Sequence, residues 1–182
     1  GFVLFVKGIL DFMQAGNLRK LMRQKPELPV THAAELHLPE EVGLRYCTEA
    51  ILSGSTADSA ALREVLGAFG DSVVVAGSGA LRHLHVHTDD PAALFHRLRS
   101  FGSLTWQKAD DMVRQSETVY HRKARIALVT DSTCDLPREL IDRYQIHMLP
   151  IHIAFGENQY LDKVTLQPQQ FYALLDSETH VP

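Results

Sequence analysis

Three histidines stand at alternate positions in His83-Leu84-His85-Val86-His87-Thr88-Asp89-Asp90-Pro91. That alternation is the period of a β-strand, which sends His83, His85 and His87 to one face and Leu84 and Val86 to the other. Imidazoles two residues apart on a strand start about 7 Å from each other, so one small cation can bridge them if a third ligand arrives from a neighbouring strand. His85-Val86-His87-Thr88-Asp89 also matches the opening of an H-x-H-x-D-H metallohydrolase motif, whose zinc activates water. Position 90 is Asp where that motif ends in His. A zinc metallohydrolase or a metal-responsive regulatory module is the rival reading of this stretch.

Where the third ligand comes from depends on which strand lies alongside. Leu44 to Leu52 alternates as a strand, and Asp58 or Ser59 can cap a helix through Leu62, Val65, Leu66 and Phe69 that stops at Gly70. Ser72 to Ala76 is a second strand, and Gly77-Ser78-Gly79 turns into the histidine strand. Asp89 or Asp90 caps the next helix, with Pro91 in its first turn and Ala93, Leu94, Leu98 and Phe101 alongside until Gly102. Leu104 to Lys108 supplies the last strand. The order β-α-β-β-α-β is the ferredoxin-like split βαβ, in which the third strand inserts between the first two.

This topology sets the strand of Cys47 about 4.8 Å from the strand of His85 and His87. Leu44 and Tyr46 face the helices, so Arg45, Cys47 and Glu49 take the open face with the histidines. One thiolate and two imidazoles suit borderline-soft Zn2+, with water or a carboxylate in the fourth position; Glu49 and Asp89 are the nearest carboxylates. The bland alternative is an open sheet face that tolerates histidine, beside a half-buried cysteine that binds nothing. His83, at the start of its strand, is read as structural.

The 182 residues, 45% hydrophobic and 22% charged, have globular composition and room for one large or two small domains. A net charge of -4 gives no electrostatic footprint for nucleic acid or an anionic membrane. Two distant cysteines, Cys47 and Cys134, argue against a disulfide framework and fit a reducing cytoplasm. The apolar opening is interrupted by Lys7 and Asp11 and is too short to span a bilayer, so no transmembrane segment is expected. Phe2, Phe5, Val6, Ile9 and Met13 share one helical face, which reads as the last helix of a domain lying upstream. The expected division is therefore the end of a helical domain at 1–15, a linker at 16–41, a ferredoxin-like domain at 42–113, a polar linker at 114–124, and a partial α/β domain at 125–182.

In that last part, Ile126 to Thr130 has the continuous apolar character of a buried parallel strand and runs into Asp131-Ser132-Thr133-Cys134-Asp135. A hydroxyl-rich loop at the carboxyl end of such a strand lies where open α/β sheets bind ligands, although capping of the following helix by Asp135 needs no ligand at all. Helix Pro137 to Gln145, a strand Ile146 to Ile153, a turn at Phe155 to Asn158 and a helix capped by Thr165 complete the pattern. Cys134 has no base near it in sequence to make it a catalytic thiol.

Several segments resemble known families. Arg125-Ile-Ala-Leu-Val-Thr-Asp-Ser-Thr-Cys-Asp-Leu-Pro137, Leu149-Pro-Ile-His-Ile153, Tyr160-Leu-Asp162 and Thr165 to Tyr172 resemble the amino-terminal part of the DegV family of fatty-acid-binding proteins. Tyr46-Cys-Thr-Glu49, Gly70-Asp-Ser72, His85 to Pro91 and Lys108-Ala-Asp-Asp-Met112 with Gln115 resemble the middle domain of fatty-acid kinases, joined in that family to a dihydroxyacetone-kinase-like domain. The resemblance implies an α/β protein in which a kinase domain in cis phosphorylates a fatty-acid carboxylate held by the DegV part, giving an acyl phosphate for lipid synthesis. It implies a metal held by Cys47, His85 and His87, and a homodimer. The family's ATP- and Mg2+-binding carboxylates precede the position of Gly1, so no catalytic residue is assigned. The segment that holds the lipid carboxylate follows the position of Pro182, which leaves Asp131, Ser132 and Thr133 as candidates at the edge of the lipid pocket.

Overall fold

The computed structural model of the chain describes Lys7 and residues 40–177. Lys7 apart, the opening helix and the connector expected before residue 40 lie outside the described residues. The first sheet contains β1 (Tyr46–Ser53), β2 (Gly70–Ala76), β3 (Leu81–Thr88) and β4 (Ser103–Asp111). Its order is β2-β3-β1-β4 with every neighbouring pair antiparallel, so β3 inserts between β1 and β2, as the sequence order predicts. The class is α/β, with helices packed against an antiparallel sheet.

Local chemistry sets the two helices that cover this sheet. In α1 (Ser59–Gly67) the Asp58 carboxylate accepts the Ala61 amide at 2.7 Å, and in α2 (Pro91–Leu98) Asp90 accepts the Ala93 amide at 3.0 Å. Leu62 and Leu66 from α1 and Leu94, Phe95 and Leu98 from α2 meet Ala50, Leu52, Val75, Leu84, Val86 and Leu104 from the strands in one core. Each fully buried leucine contributes roughly 1.5–3 kcal/mol, enough to hold the register of the strands firmly. With Leu84 and Val86 committed to the core, His83, His85 and His87 stay on the uncovered face.

Residues 114–124, expected as a polar connector, instead carry most of α3 (Met112–Tyr120), capped by Asp111 through the Arg114 amide at 2.9 Å. The apolar periodicity that marks a buried helix is absent because Arg114 and Ser116 are its buried residues. Ser116 donates to the Glu40 carbonyl at 2.9 Å, and Arg114 is 5% exposed in the ion-pair cluster described below.

Beyond α3 lie β5 (Val129–Asp131), α4 (Arg138–Arg143), β6 (His147–Leu149), β7 (His152–Phe155), β8 (Asn158–Leu161) and α5 (Pro168–Ser177). β5 and β6 pair in parallel, while β7 and β8 form an antiparallel hairpin. The single strand expected over Ile146 to Ile153 is split at Pro150, which has no amide to give a ladder. The apolar run before β5 is not buried: Ile126 and Val129 are 81% and 61% exposed, and β6 is the one strand paired with β5 among the described residues. Thr165 does not cap α5. Its hydroxyl accepts the Leu161 amide at 2.8 Å, and Gln167 takes the place before Pro168, with its carbonyl accepting the Phe171 amide.

The carboxyl-terminal elements pack on the first sheet. Tyr46 from β1 meets Leu161 and Val164, with Ala109 and Met148 against them, and the Leu104 amide donates to Asn158 Oδ1 at 2.8 Å. At this junction Asp142 of α4 receives Arg45 at 2.8 Å, Arg114 at 2.7 Å and Arg138 at 3.1 Å. Asp111 takes a second bond from Arg45 at 2.7 Å, and Arg138 donates to the Tyr46 hydroxyl at 3.1 Å. Gln107 of β4, 4% exposed, has no hydrogen-bond partner for either side-chain amide atom.

Candidate functional site

On the uncovered face the antiparallel register sets Cys47 directly opposite His87, and Glu49 opposite His85. The ligand atoms of Cys47, His85 and His87 lie within 4.8 Å of one another, the one such gathering of three or more His, Cys, Asp or Glu groups among the described residues. The two imidazole rings are 5.1 Å apart at 64°. Around a tetrahedral zinc ion the same donors would be separated by roughly 3.3–3.6 Å, so the three fit a cation after a closure of about an ångström. Neither cysteine is in a disulfide, so Cys47 keeps its sulfur for such a role.

The electrostatics suit metal ligation. Burial lowers the His85 pKa, and the neighbouring His87 lowers it further, which keeps the imidazole neutral with a free lone pair. Burial pushes the Cys47 thiol up, with Asp110 adding to the effect and Lys108 opposing it. The thiol therefore surrenders its proton to a cation rather than to bulk water at neutral pH.

The carboxylates expected as fourth ligands are engaged elsewhere. Glu49 approaches His83 Nε2 at 3.2 Å and Lys108 at 3.8 Å, and Asp89 accepts the Arg45 amide at 2.8 Å. His83 is thus an ion-pair partner of Glu49 and stands outside the triad, in keeping with a structural role. With Asp89 taken by the Arg45 backbone and Asp90 capping α2, the residues after His87 secure a turn, which removes the main support for the metallohydrolase reading. The sequence pattern misses Asp71 of β2, whose Oδ1 stands 3.6 Å from His87 Nδ1. Strand periodicity could not reveal it, because a β-bulge between Asp71 and Val74 decides which way it faces.

The second candidate site is the loop after β5. The Asp131 carboxylate accepts the Thr133 amide at 3.0 Å and its hydroxyl as well, and these bonds lower its pKa. Ser132 is fully buried, and its hydroxyl accepts the Ile151 amide at 3.0 Å, tying the loop to the start of β7. Lys163 holds the following turn by donating to the Cys134 carbonyl at 2.9 Å and to Asp135 at 3.0 Å, so Asp135 binds a lysine and does not cap α4. A cleft of about 480 Å3 adjoins the loop, walled by Arg45, Tyr46, Cys134, Leu136, Arg138 and Lys163. Asp131, Ser132 and Thr133 are not among its lining residues. A smaller cavity of about 330 Å3 lies between α2 and α5, walled in part by His96, Leu166, Ala173 and Leu174.

No helix among the described residues is long and apolar enough to cross a membrane. Residues 43–119 match the family model for the FakA-like middle domain of fatty acid kinases, and residues 125–182 match that of the DegV family. A DegV domain-containing protein of Clostridium acetobutylicum is 41% identical over 54 residues, which is 30% of this chain and 19% of that protein. Protein DegV of Bacillus subtilis is 37% identical over 57 residues, 31% of this chain and 20% of its own length. An uncharacterized protein of Staphylococcus saprophyticus is 30% identical over 130 residues, covering 68% of this chain and 22% of the relative. The chain thus spans about a fifth of the length of each of these relatives. Residues 43–119 belong to the FakA-like middle-domain family of fatty acid kinases, and residues 125–182 belong to the DegV family.

Proposed function

We propose that this chain belongs to a cytoplasmic fatty-acid kinase system, in which a zinc-stabilised middle domain carries a DegV-type lipid-binding portion to a kinase domain acting in cis. The division follows the sequence: a middle domain over 42–113, and a DegV-type part from 125, with α3 between them. The kinase domain supplies ATP and Mg2+, and the γ-phosphoryl group passes to the carboxylate oxygen of the bound fatty acid to give an acyl phosphate and ADP. The role of the residues described above is positioning. Asp131, Ser132 and Thr133 shape the loop at the rim of the lipid site through bonds to one another and to Ile151. Cys47, His85 and His87 hold Zn2+, which pins β1 to β3, and the uncovered sheet face around them serves a homodimer.

The observation that carries this reading is the direct packing of the DegV-family elements on the middle-domain sheet, through Tyr46, Leu161 and Val164 and the arginine cluster on Asp142. The test uses the full-length protein purified natively. Organic extraction with mass spectrometry is expected to yield a stoichiometric fatty acid, and ATP with hydroxylamine is expected to trap the acyl phosphate as a hydroxamate. A protein with neither bound acyl chain nor hydroxamate would sink the proposal. Zinc content by plasma mass spectrometry is expected near one per chain and near zero in a His85→Ala, His87→Ala double variant. Equal zinc in both removes the metal part.

A further inference from the structure

We infer that Asp71 is a positioning residue of the metal site, brought to His87 by a backbone irregularity built for that purpose; the inference rests on the metal reading above. Three observations converge on His87. First, the register of β2 on β3 runs Gly70 to Thr88 and Asp71 to His87, then shifts, so that the next paired residue is Val74 with His85. A regular strand carries alternate residues on opposite faces, and Val75 is buried in the core. By regular alternation Asp71 would share the core face with Val75 and Val73; the bulge turns it to the open face beside His87.

Second, Ser72 within the bulge has φ 56°, in the left-handed region that a residue with a β-carbon adopts at a cost. Third, a Cβ on Gly70 would overlap the His87 carbonyl oxygen, so the absence of a side chain there lets β2 approach the His87 backbone closely. The outcome of this arrangement is an Asp71 carboxylate 3.6 Å from His87 Nδ1. Asp71 is 68% exposed, so a small side-chain rotation closes that approach to a hydrogen bond without disturbing the core.

The chemistry follows from imidazole having two nitrogens. A carboxylate that accepts from Nδ1–H fixes the tautomer, holds the ring plane and leaves Nε2 as the nitrogen for a cation. His85 gets no such support from Glu49, the carboxylate opposite it, which is turned to His83 and Lys108. Asp110, which pairs with Cys47 across β1 and β4, is likewise taken by Lys108 at 2.7 Å. Asp71 is therefore the carboxylate that orients a ligand from behind, and Asp110 is a built-in control: it adds similar charge near the same thiol and orients no ligand.

The test measures zinc affinity of the full chain by competition with a chromophoric chelator in the wild type, Asp71→Ala and Asp110→Ala. Asp71→Ala is expected to weaken binding about 10- to 100-fold with unchanged far-ultraviolet circular dichroism, and Asp110→Ala to weaken it less than about threefold. Long-range 1H–15N spectra of the zinc-loaded wild type are expected to show His87 protonated at Nδ1 with slow exchange, and fast exchange of that proton in Asp71→Ala. Equal affinity in Asp71→Ala and wild type, or equal losses in the two variants, overturns the role of Asp71 and leaves the metal site standing. Failure of the wild type to bind zinc overturns the metal reading itself, and this inference with it.

Discussion

Asp142 gathers three guanidinium groups, and replacing it with Asn tests whether the cluster holds the DegV-family elements on the sheet. The change keeps the shape of the side chain and removes its charge, leaving Arg45 with Asp111, and Arg114 with Glu117 at 2.6 Å. Breaking a fully buried ion pair costs about 3–5 kcal/mol, whereas an exposed pair contributes about 0–1. Here Arg114 is 6% exposed, Arg45 21% and Asp142 38%, between those limits. The expected loss for Asp142→Asn is therefore about 2–3 kcal/mol, or roughly 5–10 °C in Tm.

The effect has a pH signature. Burial alone would raise the Asp142 carboxyl, but the hydrogen bond from Arg45 and the charges of Arg138 and Arg45 together bring its pKa below the ordinary value. A carboxylate depressed in the folded state stabilises above its unfolded pKa of about 3.9 and loses that contribution as pH falls through the folded pKa. Urea unfolding at pH 7 should show the full gap between wild type and Asp142→Asn, and the gap should narrow below about pH 4. Amide exchange in α4 should accelerate in the variant at pH 7. A midpoint shift worth less than about 0.5 kcal/mol at pH 7, or a gap that does not respond to acid, would refute the reasoning.

Gln107→Leu is expected to stabilise the protein by about 1–3 kcal/mol in the same urea titration, because it removes two buried polar atoms that have no partner. Gly70→Ala is expected to cost about 3 kcal/mol by thermal melting, since its methyl group would force β2 away from the His87 carbonyl. Asn158→Ala should cost about 1–2 kcal/mol, as it orphans the Leu104 amide at a residue with no exposed surface, and hydrogen exchange at Leu104 should report it directly.

The first sheet could be read from sequence because its signals are local and agree. Leu84 and Val86 alternate with histidines, Asp58 and Asp90 precede helices, and one topology brings Cys47 beside His87. Strand parity then puts the thiol and the two imidazoles on the same face. The helix over Met112–Tyr120 could not be read, because its buried face is Arg114 and Ser116, whose partners Asp142 and Glu40 lie far away in sequence. Asp71 was hidden for a related reason: a bulge breaks the period on which strand reading depends. In the loop after β5 the hydroxyl pattern was visible, but whether Ser132 faced a pocket or a neighbouring strand depended on Ile151, beside a strand whose start was set by Pro150.

Cys47 and His87 meet only because β1 and β3 align in one register, with Thr48 opposite Val86 and its hydroxyl bonded to that carbonyl at 2.6 Å. A slip of one residue would turn the sulfur into the core and the imidazoles away from it. The strands are separated in sequence by a helix and a hairpin, so their pairing is a late, non-local event in folding. A cation that is captured only by the aligned pair would drain slipped chains toward the native one by mass action. The site would then act as a proofreading step during synthesis, rewarding correct strand pairing before the DegV-family elements have docked.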